Sequence, residues 1–132
     1  MNFNKIIVQN IFETSMRSAL VREVGADLRS LSEYDYLFES MDETISSVAL
    51  SYIDTIMVDD LQTKTNEKGT AVSGTIRLMV EVTMYAISTN NKEHPAYNDM
   101  MELYYNFSFN EENGIFKNLK LEWLDDPGEP WV

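Results

Sequence analysis

The side chains that could do chemistry in this 132-residue chain are mostly carboxylates: 22 residues are Asp or Glu and only 10 are Lys or Arg, a net charge of −12. Cysteine is absent, which excludes a thiolate nucleophile, a zinc–thiolate site and a disulfide framework. The single histidine, His94, precedes Pro95, and we expect it to be a solvated loop residue, because a general base needs a cleft and an orienting partner. No Gly-rich phosphate loop, nucleophile elbow or His-x-x-x-His pair occurs, so an enzyme is not the expected class.

Adjacent acids are the remaining candidates for chemistry. They form four pairs, Asp42-Glu43, Asp59-Asp60, Glu111-Glu112 and Asp125-Asp126. Neighbouring side chains on a strand point to opposite faces, so we expect none of these pairs to be a ready-made chelate. Asp54 with Asp59 or Asp60 would join a metal site only if the fold brought other oxygens near, and no Asp-x-Asp-x-Asp-Gly calcium loop is present. The sequence therefore predicts neither a metal nor a cofactor.

The acids are unevenly distributed. Eight lie between Arg29 and Lys64 without any Lys or Arg among them, whereas Lys5, Arg17, Arg22 and Arg29 gather near the N-terminus. Such a surface either serves solubility alone or complements a basic partner protein, which speeds encounter and selects the partner. Both interpretations remain open from the sequence.

Aromatic side chains among the acids favour the second interpretation. Tyr34 and Tyr36 alternate with Glu33 and Asp35, and Phe38-Glu39 follows just after. Tyrosine supplies interface area while carboxylates pair with arginine. Alternatively, Tyr36, Leu37 and Met41 form the buried stripe of a helix. The predicted partner-binding residues are Glu33, Tyr34, Asp35, Glu39, Asp42, Glu43, Asp54, Asp59, Asp60, Asp125, Asp126 and Glu129.

Two helices are predicted before residue 45. Leu20, Val24, Leu28 and Leu31 recur at spacings of four, four and three, which predicts a helix over 4–31. Gly25 costs this helix about 1 kcal/mol relative to alanine and could mark a break. Residues 32–44 predict a second, short helix with Ser32 as its N-cap.

From about residue 46 the apolar period changes to two. The segments 46–65, 75–87, 101–109 and 115–123 predict strands, of which 46–65 is the least regular because its beginning could continue the helix. In 75–87 the apolar side chains from Ile76 to Ala86 alternate with polar ones such as Arg77 and Glu81. This alternation is typical of an antiparallel sheet with one wet face.

The connecting segments complete the predicted architecture. Residues 65–70 and 110–114 predict hairpin loops with glycine, and the longer loop 88–99 contains Pro95, which we expect to stop any strand. We therefore predict one α+β domain over 1–132: mostly helical over 1–44, an antiparallel sheet over 46–124, and a C-terminal turn and tail over 125–132. Its N-terminal helices pack on one face of a four-stranded antiparallel meander.

This order of elements resembles the cone-shaped nuclear-transport-factor-2-like domains in arrangement only, since no motif carries the likeness. The resemblance implies a small-molecule or enzymatic pocket between sheet and helices. Arg77, Glu81, Tyr85 and Tyr104 could serve such a pocket if the wet face is partly covered.

The C-terminal segment contains two tryptophans. Trp123 continues the alternation of the last strand and should belong to the core. Asp125, Pro127 and Gly128 predict a turn, which leaves Trp131 either as a tether on the domain edge or as a partner anchor. Burial of the indole favours the tether.

The functional hypothesis is a non-enzymatic acidic protein that blocks a basic, nucleic-acid-handling enzyme or toxin by mimicking phosphates, as anti-defence or immunity proteins do. The negative charge argues against direct binding to nucleic acid or anionic membranes. Alternatives are the pocket protein and a homodimer formed through the open sheet face. No signal peptide or apolar window of about 20 residues is evident, so the cytoplasm is the expected compartment.

Overall fold

A computed structural model describes residues 2–30, 45–87, 90 and 92–124. The described elements are α1 (Lys5–Glu13), α2 (Arg17–Arg29), β1 (Ile45–Thr65), β2 (Thr70–Ile87), β3 (Glu93–Glu112) and β4 (Ile115–Trp123). The strands form one antiparallel sheet in the order β1-β2-β3-β4. The α+β class and the four-stranded meander are confirmed. The predicted helix over 32–44 and the tail 125–132 lie outside the described residues.

The prediction of one helix over 4–31 is wrong, because the chain turns at Thr14–Met16 and not at Gly25. The Thr14 hydroxyl donates to the Asn10 carbonyl oxygen at 2.7 Å, and the Met16 N–H donates to the Ile11 carbonyl oxygen at 2.9 Å. Hydroxyl side chains that bond the backbone locally compete with the helix pattern. Gly25 remains inside α2, since a glycine in a helix interior lowers stability without forcing a break.

One face of the sheet is apolar and buried, as the period of two predicts. On β2 it carries Val72, Ile76, Leu78, Val80, Val82, Met84 and Ala86, and on β3 it carries Leu103, Tyr105, Phe107 and Phe109. We call this the buried face. Phe12 of α1 contacts it edge-on, with ring centroids 5.1 Å from Phe107 and 5.7 Å from Phe109. Trp123 packs half-buried beside Tyr105, with ring centroids 6.0 Å apart.

The prediction that Pro95 stops any strand within 88–99 is wrong. Strand β3 begins at Glu93, and Pro95 pairs with Tyr85. Two local conditions make proline acceptable here. The register shifts by one residue at Ala96, and the pairing with β4 begins only at Tyr105, so Pro95 has no β4 residue opposite it. His94 is consequently a half-buried strand residue and not a solvated loop residue.

The least regular predicted strand, 46–65, is confirmed as a strand from Ile45 onward, and its irregularity has a structural cause. Along its pairing with β2, β1 contains four extra residues, Ser46, Ser51, Asp54 and Asp59. All four are polar. Bulges bend a strand and increase its twist, and β1 stands at the edge of the described sheet, where bulges and charges discourage pairing with foreign strands.

Candidate docking face

The face of the sheet opposite the buried face combines polar and exposed apolar side chains. We call it the open face. It is formed by alternate residues of β2 and by their register neighbours on the other strands. Its central members are Tyr52, Met57 and Asp60 on β1, Thr75, Arg77, Met79, Glu81 and Thr83 on β2, and Met100, Glu102 and Tyr104 on β3.

Among the central members of the open face, three large apolar side chains are strongly exposed. Tyr52 is 47% exposed, Met57 45% and Met100 42%. Tyr52 and Met100 lie on either side of Glu81, one on each neighbouring strand. Large apolar side chains grouped on a surface indicate a contact site more often than isolated ones do, and methionine adapts its shape to a partner.

An ionic network crosses the middle of the open face. Arg77 Nε donates to Asp59 Oδ2 at 2.8 Å, and Arg77 Nη1 lies 3.9 Å from Glu102 Oε1. The Tyr104 hydroxyl donates to the same Glu102 oxygen at 2.7 Å. The hydrogen bond and charge of Asp59 raise the pKa of Arg77 above its ordinary value, with a smaller contribution from Glu102. The charge of Arg77 is therefore compensated by carboxylates of the same chain.

Hydroxyl groups link the three long strands on the same face. The Thr83 hydroxyl donates to Asn98 Oδ1 at 2.9 Å and lies 2.7 Å from the Ser51 hydroxyl. Because Thr83 has a single hydroxyl proton, Ser51 donates to Thr83 in this chain of hydrogen bonds. Ser46 donates to Glu93 Oε2 at 2.7 Å. Two of these groups, Ser46 and Ser51, are extra residues of β1, so the bulges of the edge strand supply cross-strand contacts.

Only three of the predicted partner-binding residues lie in the described part of the chain. Asp54 is exposed in a bulge of β1. Asp59 is engaged by Arg77, and Asp60 is exposed and accepts a hydrogen bond from the Thr75 hydroxyl at 3.0 Å. The other predicted residues, Glu33, Tyr34, Asp35, Glu39, Asp42, Glu43, Asp125, Asp126 and Glu129, lie outside the described residues, as does Trp131.

The expectation that adjacent acids point to opposite faces is wrong for Asp59 and Asp60. Their partners Arg77 and Thr75 are two residues apart on β2 and share one face. Asp59 is the extra residue of a bulge, and a bulge interrupts the alternation of side chains. Within the described ranges, no group of three or more Asp, Glu or His side chains is arranged to hold a metal ion.

Sequence reasoning missed several members of the open face. The alternation of the sequence did not identify Tyr52, Met57 or Glu102 as members of this face. The bulges of β1 shift the phase of the pattern four times, which hides Tyr52 and Met57 from a search for alternation. Arg77, Glu81, Tyr85 and Tyr104, the polar groups of the pocket alternative, all belong to the open face, and that alternative stays a prediction.

Comparisons with known proteins add no relative: no family model, no curated protein and no solved structure matches this chain. Among the helices of the described segments, none is long and apolar enough to cross a membrane.

Proposed function

We propose that this chain is a non-enzymatic acidic protein that binds and blocks a basic partner protein through its open face. The observation that carries the proposal is the group of exposed Tyr52, Met57 and Met100 side chains set among carboxylates. Aromatic and methionine side chains are the apolar residues enriched at protein interfaces. Carboxylates around them select a partner with the opposite charge.

The local charge supports a basic partner. Around the apolar group lie Asp60, Glu81 and Glu102, whereas Arg77 is held by Asp59. A docking arginine or lysine would meet carboxylates at several points of the face. The net charge of −12 would add long-range attraction and raise the rate of encounter with a basic protein.

A two-layer arrangement would leave this face available. We take α1 and α2 as the layer that covers the buried face, which the contacts of Phe12 with Phe107 and Phe109 support. Neither described helix then covers the opposite face, which can meet a partner.

A nucleic-acid-handling enzyme or toxin is the class of partner that fits best. Its binding surface is basic because it neutralises phosphates, and carboxylates spaced along a sheet can occupy the same positions. The partner would then be blocked because this chain and the nucleic acid compete for one surface.

The experiment is a pull-down with the tagged protein from its native lysate, with parallel captures by wild type, the open-face variant Glu81→Lys and the matched control Glu13→Lys. Glu13 is exposed on α1, so the control makes the same charge change away from the face. We expect wild type and the control to retain a basic protein at low salt, and Glu81→Lys to retain it poorly. A DNA duplex should displace this protein from wild type. High salt should release it, because salt screens exposed charges. Equal capture by all three proteins, or capture that neither salt nor DNA weakens, would contradict the proposal.

A further inference from the structure

The charge of the open face changes sign along the strands. At the hairpin end, Lys64 lies in the row of Ala71 and Lys120 in the row of Ser73. Lys117 also lies in the row of Ala71, but it forms an ion pair with Glu112. Toward the middle, Glu102 lies in the row of Met79, and Glu81 lies one row further. Successive rows are about 6.7 Å apart along the strands. The lysines and the glutamates are therefore separated by three to five rows on one surface.

This polarity makes the open face complementary to itself. We propose that a second copy of this chain docks on the open face, with the strands of the two sheets antiparallel and a two-fold axis crossing the strands between the rows of Thr75 and Arg77. An axis in this position brings the Ala71 row over the Glu81 row of the other copy. It also brings the Ser73 row over the Met79 row, and the Thr75 row over the Arg77 row.

Two new opposite-charge contacts then form, and symmetry repeats each of them. Lys64 faces Glu81 of the other copy, and Lys120 faces Glu102, with each pair offset by one strand or about 4.8 Å. Stacked sheets lie about 10 Å apart, a gap that Lys and Glu side chains bridge together. A two-fold contact of this kind uses the same patch on both copies, which is the commonest symmetry of homo-oligomers.

The size of the face reaches the lower limit for a specific dimer. The overlapping rows, from Ala71 to Glu81, cover about 36 Å along the strands and about 14 Å across the three long strands, because β4 pairs with β3 only from Tyr105 onward. This area of roughly 500 Å² per copy buries about 1,000 Å² in total, the lower bound for a specific interface. The exposed Tyr52, Met57 and Met100 side chains lie within it and would lose their contact with water.

The two copies also repel each other, because each carries a net charge of −12. Salt therefore acts on the dimer in two opposite directions, since it screens both the overall repulsion and the local pairs. Exchange of charges between two specific positions avoids this ambiguity. Lys64 and Glu81 are suited to the exchange because the dimer places them opposite each other while the fold places them five rows apart.

The test measures mass in solution for the purified full chain at several concentrations, where a monomer has 15.2 kDa and a dimer has twice that mass. We expect a dimer for wild type. Glu81→Lys and Lys64→Glu should each weaken dimerisation by about tenfold or more, because two symmetric contacts change from attraction to repulsion. The double variant, Glu81→Lys with Lys64→Glu, should restore dimerisation to near the wild-type level, and Glu13→Lys on α1 should leave it unchanged.

A monomer at every concentration would overturn the dimer. A dimer whose strength does not depend on Glu81 and Lys64, or single losses that the double variant does not restore, would overturn this face as the interface. The dimer is inferred from the face alone, and only its competition with a basic partner rests on the proposed function. Measuring mass without any partner separates the dimer from the proposed function. The chain could be monomeric while the pull-down succeeds, or dimeric while the pull-down finds no partner.

Discussion

Gly74 is a position where a single added methyl group should strongly destabilise the fold. It lies in the interior of β2, opposite Leu61 on β1 and Phe107 on β3. A Cβ added there would overlap the Asp60 carbonyl oxygen. It would lie 2.8 Å from the Asp60 carbonyl carbon and 3.1 Å from the Leu61 Cα. The obstacle is backbone, so no side-chain rotation can relieve it. The close approach follows the extra residue Asp59 in β1, because a bulge bends its strand and a glycine in the neighbouring strand leaves room for that bend.

The expected cost follows from these distances. Carbon atoms in contact are normally about 3.5–4.0 Å apart, so β1 must move by roughly 1 Å to accept the methyl group. Overpacking of this kind costs about 1–3 kcal/mol, and each ladder hydrogen bond distorted by the movement adds about 1 kcal/mol. We therefore expect Gly74→Ala to lower the free energy of unfolding by about 3 kcal/mol, and the melting temperature by roughly 10 °C for a domain of this size.

Gly25→Ala is the matched control, and it should change stability in the opposite direction. Its added Cβ would meet only the flexible end of Arg29, at 3.5 Å, which is an ordinary contact. Alanine is favoured over glycine in a helix interior by about 1 kcal/mol, so this variant should melt slightly above wild type. Thermal melting by circular dichroism and urea denaturation of the three proteins would decide the matter. A Gly74→Ala protein that melts within about 2 °C of wild type would refute the close approach of β1 to β2.

Two further predictions concern the helix–sheet contact and an ion pair. Phe12→Ala should lower the free energy of unfolding by about 3–5 kcal/mol, because it leaves a cavity against the buried face. Ile6 is 77% exposed on the same helix, so the control Ile6→Ala should cost no more than about 0.5 kcal/mol. Urea denaturation measures both variants, and a small loss of stability for Phe12→Ala would contradict a helical layer on the sheet. The ion pair joins Lys117 and Glu112, with Lys117 Nζ 2.5 Å from Glu112 Oε2. The hydrogen bond and charge of Lys117 hold the pKa of Glu112 below its ordinary value of 4.5. This stabilisation is present above that ordinary pKa and is lost as pH falls through the lower value of the folded state. The melting temperature of wild type should therefore fall more steeply below pH 4.5 than that of Glu112→Gln, and parallel curves for the two proteins would contradict the pair.

The sheet was predictable from the sequence because its central strands obey a simple rule. In β2 every second residue from Ile76 to Ala86 is apolar and buried, and a period of two has one structural interpretation when one face is wet. The helix break and the strand at Pro95 were not predictable in this way. The helix break depends on the hydrogen bond of the Thr14 hydroxyl. The strand at Pro95 depends on the part of β3 that pairs with β2 but not with β4. Neither is visible in the composition or in the apolar period.

The sequence predicted the acidic charge of the candidate site and a wet sheet face with Arg77 and Glu81, but not how the strands combine the side chains of this face. An excess of acid is visible in the composition, but the pairing of Asp59 with Arg77 joins residues 18 positions apart through a bulge. The placement of Tyr52 and Met57 on the same face depends on the same bulges. An alternation search fails wherever the strand inserts an extra residue, so the open face could be assembled only from the register of the strands.

The two proposed occupants of the open face use its charges over different distances. A basic partner responds to the whole charge of −12, which acts over many ångströms and is strongest at low ionic strength. A second copy is repelled by that same charge at long range, and it is held only by contacts within a few ångströms, such as Lys64 with Glu81 and the exposed Tyr52 and Met100 side chains. The apolar part of these contacts is not screened by salt. Overall charge therefore favours the basic partner, whereas the alternation of charge along the strands favours the second copy, and the balance between them should shift from partner to dimer as ionic strength rises.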